Sequence, residues 1–174
     1  MTASAIPEIA DTEGLAAWEA TIPKGTARSF LDMVSKEAFS TGAQVMITRA
    51  EMVLGIDHLR SALYHAKRSM ALGTNASDSL PMETLLYASG ERQLSAAIRK
   101  MSADEETTEV IVALLDGRFQ PHEGWSRLRL LDREEVVRRL SKFGISRKEI
   151  ETIGGRRPED LILEIVAAVD VLKK

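Results

Sequence analysis

Few residues in this chain could carry acid–base, metal or nucleophilic chemistry. Its three histidines are His58, His65 and His122, and it has no cysteine. His58 and His65 are about two turns apart if they share a helix, too far for the i, i+4 pair of a helical metal site. His122 sits in a stretch that reads as a loop. Asp104-Glu105-Glu106 offers carboxylates with no partner base and reads as a solvated connection. There is no G-x-S-x-G elbow, Walker A run or G-x-G-x-x-G fingerprint. Without cysteine, disulfides, Cys-based zinc sites, iron–sulfur ligation and a thiol nucleophile are all excluded. The expectation is a protein that is not an enzyme, with no catalytic residue, no metal and no cofactor.

Three stretches point to binding instead. In Ala88-Ser89-Gly90-Glu91-Arg92-Gln93 the glycine permits a tight turn between two helices. The second helix then directs its unpaired N–H groups at whatever lies before it, an arrangement that attracts anions. Arg92 and Gln93 add fixed donors there, so a phosphate or terminal ribose fits the chemistry. The same residues also read as an ordinary helix end, with Gly90 as C-cap, Ser89 as a local cap and Arg92 as an ion-pair partner. Further upstream, Arg60, Tyr64, Lys67 and Arg68 recur at helical spacing. Charge for a backbone and a ring for a base are the ingredients of single-stranded nucleic-acid binding, although a solvated face has the same composition.

The third stretch runs from Leu161 to Leu172, where Glu164 and Asp170 are the polar residues. One stripe is Leu161, Ile165, Ala168 and Leu172; a second is Ile162, Val166 and Val169. A helix apolar nearly all round has to be covered on both sides. Either the domain's own core wraps it, or Ile162, Val166, Val169 and Leu172 dock on another protein or on a second copy of this chain. Arg133, Arg138, Arg139 and Lys142 precede a short helical segment in a loose likeness of a helix-turn-helix. Glu134 and Glu135 interrupt that charge and the second helix is very short, so no DNA partner is expected.

Composition narrows the partners further. The chain has 174 residues, 44% of them hydrophobic and 28% charged, which excludes a disordered protein. Net charge is −3 and the pI about 5.7, whereas a bulk electrostatic binder of nucleic acid is basic. Any RNA contact must therefore come from a local patch. No apolar run reaches the ~18 residues of a membrane span, and the first residues lack a basic leader. A soluble cytoplasmic protein with no membrane partner is expected.

The elements that must position these residues follow from periodicity and caps. Residues 1–13 read as a flexible tail and 14–174 as a single domain. Strands are expected at 14–22, 43–47, 110–115 and 127–131, with Leu128 and Leu130 inward in the last. Thr48 is expected to cap a short helical turn. Helices are expected from Thr26, with Phe30, Met33, Val34 and Phe39 apolar, and from Ile56, with Leu59, Leu63, Ala66 and Met70 on one face. Others begin near Ser79, before Leu94, after Asp132 and after Ser146, and a last one opens at Pro158. The fold class is α/β, or α+β-like: a small mixed sheet of three to four strands among about seven or eight helices, ending in a long apolar helix.

The run Ala88-Ser89-Gly90-Glu91-Arg92-Gln93-Leu94-Ser95-Ala96-Ala97-Ile98 resembles the A-S-G-x-R-Q-I-x-x-A-I signature of the Cgi/TPRKB family, small subunits of the KEOPS (EKC) complex. The preceding helix is similar too, with His58-Leu59, Ala62, Ala66 and Lys67-Arg68. The resemblance is most specific over residues 43–117 and looser over 127–174. It implies a non-catalytic single α/β domain that docks on the kinase/ATPase subunit through its last helix. It further implies help in recruiting tRNA, gripped by its 3′ CCA end, for threonylcarbamoyladenosine formation. On that resemblance Ser89, Gly90, Arg92 and Gln93 face the RNA end, with Lys67 and Arg68 flanking. Glu91, at the variable position, places negative charge near the RNA path. The alternative reading is a homodimeric regulator pairing through its terminal helix, without RNA binding.

Overall fold

A computed structural model describes residues 12–173 of the chain; nearly all of the expected tail lies outside the described residues. Strands β1 (Ala16–Thr21), β2 (Gln44–Arg49), β3 (Glu109–Asp116) and β4 (Ser126–Arg127) form one sheet in the order β2-β3-β1-β4. Helices α1 (Ala27–Thr41), α2 (Ile56–Leu72), α3 (Leu80–Ser89), α4 (Leu94–Met101), α5 (Arg133–Ser141), α6 (Arg147–Glu151) and α7 (Leu161–Leu172) complete the α/β fold, with short 3-10 turns at Ala50–Met52 and Pro158–Asp160. The strand number is as expected, but every pairing is antiparallel, so the sheet is not mixed.

β3 is the interior strand expected from its apolar run, and Val110 to Leu115 are all buried. Its side chains alternate between faces. Ile111, Ala113 and Leu115 join a core with α2, α3, α4 and α7, while Val112 and Leu114 join Trp18, α1 and Phe119. The unbroken apolar run thus reports burial on two faces, whatever the direction of the neighbouring strands. Ser79, Asp132 and Ser146 each cap a helix by accepting a hydrogen bond from the backbone N–H three residues on.

Three expectations fail locally. Thr48 is a buried member of β2, and the helical turn after it begins at Ala50 behind Arg49. The chain leaves the sheet after Arg127, so Leu130 is 93% exposed rather than inward. Arg129 instead reaches Glu135 with two hydrogen bonds of 2.7 and 2.8 Å. On α1, Val34 is buried with Ala27 and Ala38, but Met33 and Phe39 face outward.

α7 settles the choice between its two stripes. Ile162, Val166 and Val169 are all fully buried. Val166 and Val169 enter the core beneath α2 and α3, and Ile162 packs with Leu54, Val136 and Leu140. These three residues were expected at a partner interface, and their burial rules that out. Asp170 and Lys173 extend the same stripe and find polar partners. His65 Nδ1 lies 2.8 Å from Asp170 Oδ2, and the Tyr87 hydroxyl donates to the other Asp170 oxygen. Burial raises the Asp170 carboxyl, but the bonds from Tyr87 and His65 outweigh it and hold the group below its ordinary range. Lys173 Nζ donates to Glu83 Oε1 at 2.7 Å, and Glu83 also accepts from the Ser69 hydroxyl and the Ala76 and Ser77 amides. Both members of the Lys173–Glu83 pair are buried, the setting in which losing one partner costs most.

The packing of α7 carries one prediction and the burial of His58 a second. Val166→Ala removes two methyl groups from a closed site and is expected to cost about 2 kcal/mol, a fall in Tm of about 4–8 °C at this chain length. Val169→Glu is expected to unfold the protein, read by circular dichroism; a folded variant would place that side chain outside the core. The second prediction concerns acid. Burial lowers the His58 pKa to about 4, with Lys100 adding to the shift and the Ala88 carbonyl opposing it. Between its ordinary 6.5 and about 4 the unfolded chain binds a proton that the native state refuses. Stability should therefore fall as pH drops through that window, by on the order of 3 kcal/mol. Glu135, held at about 2 chiefly by Arg129 and also by Arg139, extends the loss below its ordinary 4.5. Denaturant midpoints from pH 7.5 to 4 should show the slope, and His58→Gln should remove the part that lies above the Glu135 range.

Candidate functional site

The Ala88–Gln93 junction is built from the inside outward. His58 lies in the first turn of α2 and is buried. Its Nδ1 accepts the Leu54 N–H at 3.1 Å, so the ring is neutral and Nε2–H donates to the Ala88 carbonyl at 2.9 Å. The Ser89 hydroxyl donates to the Leu86 carbonyl at 2.7 Å and accepts the Glu91 N–H at 3.0 Å. Lys100, near the end of α4, donates to the Ser89 carbonyl at 2.8 Å and pairs with Glu91 at 3.2 Å. The negative charge of Glu91 is thereby tied to a lysine rather than left facing a ligand. Lys100 also lies 4.6 Å above the Phe143 ring.

Gly90 has φ +73°, and a Cβ there would fall inside the Cγ2 methyl of Ile165 on α7. The glycine is required twice: by its left-handed backbone and by the close approach of α7. Ser89 is therefore buried, and Gly90 is partly covered by α7. Arg92 and Gln93 are exposed. Gln93 caps α4 with its carbonyl, which accepts from Ala97, and makes no side-chain cap. The first-turn amides of α4 thus open beside Arg92.

The basic stripe on α2 is present but is not gathered at this junction. Arg60 is exposed and pairs with Asp57 at 2.8 Å. Tyr64 is exposed, with its ring edge-on to His65 at 5.4 Å. Lys67 is partly buried, and Arg68 lies 3.6 Å from Asp170. α7 runs alongside α2 and opposite in direction to α3: Ile165 meets Gly90, Asp170 meets Tyr87, and Lys173 meets Glu83. Lys67 and Arg68 lie near the Asp170 end, whereas Gly90 sits at Ile165. Five residues of helix separate these by roughly 7.5 Å in rise and 140° in rotation. The loop at residues 73–78 joins the end of α2 to the start of α3, far from Gly90 at the other end of α3. Lys67 and Arg68 thus start about one and a half turns from the level of Gly90; Arg60, half a turn past His58, is nearer its level.

The outward face of α7 remains. Leu161, Ile165 and Ala168 form a groove with Ile145, Thr152 and Ile153, rimmed by Glu149 and Glu164. Beyond it Leu172 is 47% and Val171 75% exposed. Of the expected interface residues, Leu172 alone lies on this accessible side. The groove residues belong to the other stripe, whose i, i+4, i+7 spacing was visible in the sequence. No group of three or more His, Asp or Glu side chains able to hold a metal occurs among the described residues, and no helix among them is long and apolar enough to cross a membrane.

No curated protein matches the chain. The family model described as kinase binding protein CGI-121 matches residues 31–150, a span that takes in β2, β3, β4, the junction and α2 to α5 and leaves out β1 and α7. That description names binding to a kinase and no reaction. With more than two thirds of its length matched, the chain belongs to the CGI-121 family of kinase binding proteins.

Proposed function

We propose that this chain is a non-catalytic accessory subunit of a KEOPS-type tRNA-modifying complex in the cytoplasm. It docks on the kinase/ATPase subunit and helps recruit tRNA by its 3′ CCA end for threonylcarbamoyladenosine formation. The outer face of α7 carries this reading. It is an apolar groove on a helix whose opposite face is already the core, in a family described by its binding to a kinase. The docking residues are Leu161, Ile165, Ala168 and Leu172 rather than the buried stripe. Support for the RNA half is narrower: exposed Arg92 and Gln93 at the open N-terminus of α4, with Arg60 and Tyr64 on the neighbouring helix. Arg92 offers a forked donor to phosphate or a ribose edge, and α4 adds its amides. The acidic net charge makes RNA affinity of the isolated chain weak and salt-sensitive.

Ala168 is exposed, so Ala168→Arg is expected to leave Tm within about 1 °C, as surface changes do. It should weaken binding to the kinase subunit at least tenfold, about 1.4 kcal/mol, by calorimetry. Unchanged affinity would move the docking site off α7. Self-association at micromolar concentration, with no kinase binding, would replace this reading by the homodimer. Arg92→Ala is expected to weaken tRNA binding several-fold and to reduce the salt slope by about one, by fluorescence anisotropy. Removing the 3′ CCA should have the same effect in the wild type and little further effect in the variant. Equal binding of intact and trimmed tRNA would remove the end-recognition role.

A further inference from the structure

The groove outside α7 pairs an apolar lining with two carboxylates and no cation. Ile145 and Ile153 line it with Leu161, Ile165 and Ala168; Glu149 comes from α6 and Glu164 from α7. The two carboxylates differ in what they already hold. Glu164 accepts from the exposed Arg156 at 2.5 Å. Glu149 is exposed and makes no ion pair among the described residues. Of the cations on its own helix, Arg147 is committed to Glu134 at 2.9 Å, and Lys148 does not line the groove. Glu149 accepts from the Ser146 hydroxyl at 3.2 Å, and the same hydroxyl oxygen accepts the Glu149 N–H at 3.1 Å. That exchange starts α6, and a glutamine at this position caps as well as a glutamate. The cap needs an acceptor there and does not need a charge.

We infer that the kinase segment filling this groove carries lysine or arginine beside its apolar side chains, with Glu149 receiving one such cation and Arg156 competing with another for Glu164. The inference rests on the function proposed above and adds the chemistry of the partner. Apolar side chains of the segment pack on Ile145, Leu161 and Ile165, and the rim then loses water. A carboxylate that loses water without gaining a cation opposes binding. A neutral or acidic segment would leave Glu149 in that state, whereas a basic one satisfies it and is selected by it. Glu164 meets the same need inside the chain, through Arg156. A partner cation gains Glu164 only by displacing that guanidinium, so Arg156 holds the affinity down.

The test measures binding of the full chain to the kinase subunit by calorimetry at two salt concentrations. Glu149→Gln keeps the cap and removes the charge, so its Tm should stay within about 1 °C of wild type. It is expected to weaken binding about threefold and to flatten the salt dependence. Arg156→Ala frees Glu164 and is expected to tighten binding about twofold. Opposite effects of these two variants, in that direction, are the signature of a basic segment. Any other pair of effects overturns the inference. Unchanged affinity in both assigns the groove to a purely apolar segment and leaves the proposed function intact. Tighter binding by Glu149→Gln with weaker binding by Arg156→Ala assigns it to an acidic one, again with docking intact. If wild type binds no kinase, or Ala168→Arg binds it as well as wild type does, the proposed docking on α7 fails and the inference fails with it.

Discussion

The constraint on which this molecule turns is that α7 is apolar on nearly every side while the domain covers only part of it. Val166 and Val169 lie beneath α2 and α3, and Ile162 fills the space against α5. Asp170 and Lys173 then lock the helix in rotation, because each must meet a polar partner on the helices below. A helix pinned that way cannot roll to hide its remaining apolar side chains. The outward groove is therefore a consequence of how the core is closed.

The signature block divides in the same manner. Ser89 satisfies backbone groups on both sides of the turn, and Gly90 lets α7 approach. Lys100 gathers the Ser89 carbonyl and the Glu91 carboxylate, and His58 anchors the residue before them. Much of the motif is thus scaffold, and its contact with the outside is limited to Arg92 and Gln93. A motif of this design holds two exposed side chains in one place by burying everything around them. Its buried histidine is neutral at ordinary pH chiefly because burial disfavours the charged ring, and its Nδ1 is already taken up in accepting the Leu54 N–H.

Helix ends were the most legible features of the sequence. The Ser79, Asp132 and Ser146 caps start their helices by local chemistry alone. The double burial of β3 was legible as well. Strand direction was not, since an apolar run carries no information about its neighbour. Alternation at 127–131 misled, because Leu128 and Leu131 pack while Leu130 is left outside once Arg129 reaches for Glu135. The orientation of α7 was the costliest ambiguity. Its stripes are equally apolar, and only Asp170 and Lys173, which continue the inner stripe at helical spacing, distinguish them. Reading that pair requires knowing that Glu83 and His65 wait opposite, a tertiary fact that no local pattern contains.

The bonds that seat α7 span long stretches of chain: His65 to Asp170 is a separation of 105 residues, and Glu83 to Lys173 one of 90. Contacts that distant in sequence form late, after the loops between them have closed. During synthesis α2 and α3 fold with their α7-facing side chains bare, a surface of the sort that chaperones hold. The docking groove does not exist at that stage, because α7 supplies one of its walls. A partner that recognised the groove would select completed molecules over nascent ones.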